Sequence, residues 1–210
     1  METVPFRLAD VAARPWKNGG GTTREIACWP PGAGLDDFLW RISVARIDAG
    51  GPFSRFAGVD RVITLLSGDG VLLRGGFPGG EHALTRPLAP FAFPGDVDVD
   101  CALQGGPSED FNVMSRRGRA RARVTVLPAA GELPPASCGL LMAVGGTWRV
   151  RGDKGHEHIL APDMGLWWAA TAQGWRIRRD AGQGDGGLIA VTIDTGTYAS
   201  TGDAQGHEPL

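Results

Sequence analysis

The residues best suited to chemistry fall in a few short stretches. "PWKNGGGTTREI" (15–26) runs Trp16, Lys17 and Asn18 into three glycines and on to Thr22. Glycine lets a backbone approach a ligand closely, a lysine ammonium supplies a point charge, and an asparagine amide both donates and accepts hydrogen bonds. A phosphate-cradling Walker loop needs its lysine after the glycines, whereas Lys17 precedes them and Gly-Lys-Thr occurs nowhere in the chain. Two readings stand, a flexible turn or one wall of a small-molecule site.

Two other stretches alternate polar and apolar residues. Arg41 and Ser43 share one face of "FLWRISVARI" (38–47), with Trp40, Ile42 and Val44 on the other. Asn112, Met114 and Arg116 share a face of "FNVMSR" (111–116). This is the period of a β-strand. The polar faces meet solvent if the sheet is half exposed, or line a cavity if the strands close around one.

"HEHILAPD" (156–163) is the metal candidate, because His156 and His158 at i, i+2 project the same way from a strand and Asp163 adds a carboxylate. It stays a weak alternative to no metal and no cofactor, since the internal repeat described below places both histidines in a hairpin turn, away from a barrel interior. The alternating arginines of "RRGRARARV" (116–124) lack interleaved aromatic residues and read as a solvated face, not a nucleic-acid contact. No Gly-x-Ser-x-Gly elbow is present, and Asp36-Asp37 reads as a loop. No catalytic residue is assigned.

The elements that must position these residues are short. The chain has 210 residues, 42% hydrophobic and 21% charged, with 33 glycines and 15 prolines. That balance is globular, and the turn formers favour many short strands over long helices. Strands are expected at 38–47, 61–68, 70–75, 96–103, 111–116, 122–127, 139–144, 147–152, 166–170, 175–179 and 188–193, in an all-β fold. In "DVDVDCAL" (96–103) the aspartates are expected to face water. The seven tryptophans mostly sit in strand patterns and read as core.

A formal net charge of −2 gives no global attraction for nucleic acid or an anionic membrane. The N-terminus lacks an apolar run behind a basic start, and the apolar runs are too short to span a bilayer, so a cytoplasmic protein is expected. Three widely spaced cysteines read as reduced core thiols.

The order of pieces repeats. Gly68 and Gly145 are 77 positions apart, and Val113 and Val191 are 78 apart, with similar pieces between them. A duplicated β-module explains this. The expected organisation is an N-terminal module over 1–121 carrying the ligand site, a degenerate C-terminal module over 122–194, and a flexible tail over 195–210. "LPAAGELPPAS" (127–137) is expected as the connector.

"PWKNGGGTTREI", "FLWRISVARI", "GPFSRFAGVDRVITLLSG", "FAFPGD" and "DFNVMSRRG" together resemble the HutD (Ves) family, densely over residues 4–118 and by architecture alone from 122 to 194. The resemblance implies a bicupin, two cupin-like β-barrels in one chain, associated with histidine utilisation and without an established catalytic activity. It also implies a sensor or limiter of histidine catabolism that binds a small acidic intermediate such as formylglutamate. Carried over, Trp16, Lys17, Asn18 and Thr22 form the rim of the site, and Arg41, Ser43, Arg61, Asn112 and Met114 its lining, with Arg116 a lesser member. The expected partner is a small-molecule carboxylate, with a second copy of the chain also a candidate. The alternatives are a cupin enzyme acting on a small acid, with or without metal, and a protein-interaction module. The chain lacks the full His-x-His, glutamate and distal histidine set of metal-dependent cupins.

Overall fold

The computed structural model describes residues 3–180 and 186–196, and all but the first two residues of the expected tail lie outside that range. The fold is all-β. Three leading strands, β1 (Val4–Arg7), β2 (Ala13–Pro15) and β3 (Gly21–Trp29), precede two sets of eight. The first set is β4 (Trp40–Ile47), β5 (Gly51–Pro52), β6 (Val59–Ser67), β7 (Val71–Gly75), β8 (Glu81–Leu84), β9 (Phe91–Pro94), β10 (Val99–Leu103) and β11 (Ser108–Arg116). The second is β12 (Ala120–Leu127), β13 (Gly131–Ala136), β14 (Cys138–Val144), β15 (Trp148–Gly152), β16 (Glu157–Leu160), β17 (Met164–Trp168), β18 (Gln173–Arg179) and β19 (Gly187–Thr195). No helix among the described residues is long and apolar enough to cross a membrane.

The two sets have the same topology. In the first, β4-β11-β6-β9 forms one sheet and β5-β10-β7-β8 the other; in the second the orders are β12-β19-β14-β17 and β13-β18-β15-β16. Each strand of the second set therefore takes the place of the strand eight earlier. The first large sheet is extended by β3 and β2 beside β4, and the second by β1 beside β17, so the N-terminal strand hydrogen-bonds to the second module. Each module is a pair of facing sheets, and no sheet closes on itself.

Three large apolar clusters follow from this layout, besides the small one of Phe38, Val59 and Met114. Ile63, Leu65, Leu73, Val99 and Cys101 fill the first module, and Leu141, Trp148, Trp168, Trp175 and Ile177 fill the second. The third cluster lies between the modules, where Trp40, Ile42, Val44, Phe111 and Val113 meet Leu140, Met142, Val191 and Ile193. Each such side chain contributes about 1.5–3 kcal/mol on full burial. Because this inter-module face is apolar, β4 and β11 are covered on both sides. Their polar face turns into the first module and not to water.

The connector expected over 127–137 is in part strand β13, which pairs with β18. Its register slips between Leu133 and Ala136, where Pro134 and Pro135 have no N–H to give the ladder. Of the aspartates in 96–103, Asp98 and Asp100 are exposed as expected, whereas Asp96, ahead of β10, is half-buried and binds Arg117.

Candidate functional site

On β4, β11 and β6 the inward residues form cross-strand rows. Arg41, Met114 and Arg61 are register partners, followed by Ser43, Asn112 and Ile63, then Ala45, Asp110 and Leu65. β3 places Cys28 beside Arg41, Glu25 beside Ser43 and Thr23 beside Ala45. A register shift between Glu25 and Ala27 lets Glu25 and Cys28 share this face although their spacing is odd. Charged and amide side chains thus line the large sheet of a module whose remaining interior is apolar.

The two arginines of the first row differ in their partners. Arg41 Nε donates to Glu25 Oε2 at 2.6 Å. The Arg41 side chain is 12% exposed and that of Glu25 33%, so the cluster reaches solvent on the Glu25 side. Arg61 is buried. Its guanidinium carbon lies 5.2 Å from the centroid of the Phe53 ring, 5.8 Å from that of Phe56 and 5.1 Å from that of Phe93, and its Nη2 donates to Asn112 Oδ1 over 3.5 Å. Its Nε is buried without a partner. Burial lowers its pKa to about 10, with Asp110 acting to raise it and Arg41 to lower it, so it is cationic at neutral pH.

Asp110 is buried on the same face, and no ion pair joins it to Arg61. Burial pushes its carboxyl up to about 7, against the opposing charge of Arg61. The hydroxyl of Ser43 is buried and unpartnered. Gly95 permits this packing: a Cβ there would stand 2.9 Å from the Val59 carbonyl oxygen and 3.2 Å from Arg61 Cγ and Cδ.

Of the residues expected in the lining, Arg41, Ser43, Arg61, Asn112 and Met114 do share this face, with Met114 packed among Phe38 and Val59. Arg116 is at its rim with its donors engaged: Nη2 bonds the Asp36 carbonyl at 2.8 Å, Nη1 that of Ala57 at 3.0 Å and Nε that of Phe38 at 3.3 Å. It ties loops together, each of its three guanidinium nitrogens bonded to a backbone carbonyl.

The expected rim comes apart. Lys17 is exposed in the turn between β2 and β3, and Asn18 Oδ1 accepts the Gly20 N–H at 3.0 Å, closing that turn. This turn lies beyond the Thr23 row, which is four residues from the arginine row on β4, about 13 Å along the strand. Thr22 is paired with Arg46 on the opposite face from Thr23. The inward threonine is Thr23, whose Oγ1 accepts from Trp16 Nε1 at 2.7 Å while the indole packs on the first module's core.

Glu25, Asp110 and the three phenylalanines around Arg61 are the site residues the sequence reading missed. Extending the alternation of Asn112 and Met114 by one step back reaches Asp110. Glu25 escapes parity because of the register shift.

His156 is exposed in the hairpin turn, as expected. His158 is not: it shares the inward face of β16 with Leu160, its Nε2 is buried, and its ring is 6.1 Å from Trp175. Strand alternation carries it into the second core. Among the described residues no group of three or more His, Cys, Asp or Glu side chains stands ready to hold a metal ion.

Repeated modules of facing sheets give a cupin-like fold, similar to that of the cupin 2 conserved barrel domain protein from Leptotrichia buccalis (TM-score 0.58, 8% identity, covering 93% of this chain and 98% of that one). The HutD family pattern matches residues 8–185, and the chain belongs to that family. It is 38% identical to protein Ves of Cronobacter sakazakii over 179 residues, 85% of this chain and 93% of that protein. It is 44% identical over 141 residues to an uncharacterized 21.2 kDa protein in the hutC 3' region of Pseudomonas putida, 65% of this chain and 70% of that one. Among solved structures it is similar to a conserved protein of unknown function from Pseudomonas aeruginosa PAO1 (TM-score 0.82, 36% identity, 93% and 100% covered). It is likewise similar to HutD from Pseudomonas fluorescens SBW25 (TM-score 0.76, 31% identity, 92% and 99% covered).

Proposed function

We propose that this protein is a bicupin that binds a small carboxylate inside its first module and thereby senses or limits histidine catabolism, with a formylglutamate-like acid as ligand. The observation that carries this reading is Arg61, a buried cation held by three aromatic rings with one long neutral hydrogen bond and no ion pair among the described residues. A buried charge without a counterion is costly, and a guanidinium matches a carboxylate in a bidentate geometry. Asn112 and Ser43 supply neutral polar groups beside it. The tie to histidine utilisation is supported by the HutD relative from Pseudomonas fluorescens and the relative from the hutC region. In this reading the first module, residues 1–121, holds the ligand, and the second, residues 122–194, supports it through the shared apolar face.

Thermal unfolding with N-formyl-L-glutamate, and with urocanate, histidine and glutamate as controls, tests the reading. A ligand at about a hundred times its dissociation constant adds roughly 2.7 kcal/mol, which raises the midpoint by several degrees in a chain of this size. A rise with formylglutamate alone supports the reading. No rise with any of the four removes it.

A further inference from the structure

We propose that the site takes up its anion together with a proton that settles on Asp110, making Asp110 the residue that selects an acid bearing a hydrogen-bond acceptor over one bearing an ammonium group. This rests on the carboxylate-binding reading above and adds what the second polar group of the ligand must be. The argument starts from charge. Glu25 already neutralises Arg41 at 2.6 Å, so Arg61 is the remaining inward cation of the cluster and Asp110 the remaining inward acid. The Arg61 guanidinium leans along the strands to Asn112, and Asp110 is the next inward residue beyond Asn112 on β11. The two do not meet in an ion pair, and in the proposed complex one ligand beside Asn112 touches both.

With Asp110 ionised, the Arg61–Asp110 pair is neutral overall, and an entering carboxylate adds a net negative charge beside a buried carboxylate. With Asp110 protonated, the incoming anion balances Arg61 and the neutral carboxyl donates an O–H. Binding is then Asp110 carboxylate plus solvent proton plus anion giving Asp110 carboxylic acid with the anion bound, and no other bond changes. The groups facing Asp110 do not replace this role. Arg61 on β6 stays cationic, and Cys101 on β10 is held neutral because burial, reinforced by Asp110 and Asp100, pushes its thiol up to about 12. The Glu25–Arg41 pair on β3 and β4 is mutually neutralised. Burial holds Asp110 itself near the point where a bound anion tips it to the acid form. An O–H donor favours an acyl oxygen on the ligand and repels an ammonium, which offers only donors.

The test is isothermal titration of the full chain with N-formyl-L-glutamate and with L-glutamate, in HEPES and in Tris, at about pH 6 and about pH 8. Binding heats that differ between the two buffers at the higher pH, corresponding to uptake of close to one proton, are expected for the wild type. Its affinity should fall up to roughly tenfold per pH unit above neutrality. Asp110→Asn should bind with no proton uptake and with affinity flat across that range, and the wild type should prefer the formyl compound over the free amino acid. Binding without proton uptake overturns the proton linkage while leaving the carboxylate site intact. Absence of binding under every condition overturns the site itself and this inference with it.

Discussion

Arg41 and Arg61 flank the same residue, Met114, on neighbouring strands of one sheet, yet Arg41 has a carboxylate partner in Glu25 and Arg61 has three phenyl rings and an amide. One cation is already neutralised, and the other has no carboxylate partner among the described residues. The asymmetry gives the two arginines different roles in the mutational tests.

Replacing Arg61 by methionine should abolish carboxylate binding without unfolding the protein. Exchanging a buried cation that has no ion-pair partner for an apolar chain of similar volume removes its desolvation cost. Calorimetry on Arg61→Met should therefore show an unchanged or higher midpoint, and titration should show no binding. Retained affinity would remove Arg61 from the site.

Glu25→Gln should do the opposite. It frees the Arg41 guanidinium from its ion pair and leaves two inward cations, so anion affinity should rise severalfold, on the order of a few tenths to 1 kcal/mol for a partly exposed group. Titration of the same acid into both proteins checks this, and weaker binding would mean that Glu25 itself holds the ligand.

Arg116→Ala should cost stability and leave affinity alone. The side chain bonds three carbonyls and its guanidinium carbon stands 5.1 Å from the Phe38 ring centroid, so about 1–3 kcal/mol should be lost in denaturant unfolding. Loss of binding at full stability would return Arg116 to the lining.

The three consecutive glycines should respond unequally to alanine. Gly21 is closely approached by the Arg46 carbonyl, and its Cβ would also meet the Trp16 ring at 3.2 Å, so Gly21→Ala should cost about 3 kcal/mol or more. Gly19 has open space but a φ of +71°, for which about 1 kcal/mol is expected. Gly20, with its nearest neighbour the Asn18 Oδ1 at 3.4 Å, should change least. Denaturation midpoints of the three variants rank them.

Stability should fall as pH rises from about 4 to about 7. Asp110 is raised in the folded protein to about 7 while an unfolded aspartate titrates near 3.9, so between these values the folded state binds more protons and is favoured by acid. The slope approaches roughly 1.4 kcal/mol per pH unit and disappears in Asp110→Asn. Unfolding free energies of both proteins across that range check the sign.

The sequence by itself determined eleven of the nineteen described strands, their repetition and the parity of the polar positions, because a period of two and turn residues are local properties that survive without tertiary context, whereas β3, read as a glycine-rich stretch, was missed. It also pointed to the stretch holding Glu25 and the face holding Arg41, Ser43, Asn112 and Met114. Tertiary structure decided which way that face turns. Local alternation separates two faces but cannot say which is wet, and here both are covered: Trp40, Ile42 and Phe111 pack on the second module while Arg41 and Asn112 look into the first. Register decided the rest, since pairing fixes Thr23 inward and Thr22 outward, and the shift after Glu25 moves that carboxylate onto Arg41. The cage around Arg61 joins Phe53, Phe56 and Phe93 from separate parts of the chain, and only folding brings them to one guanidinium.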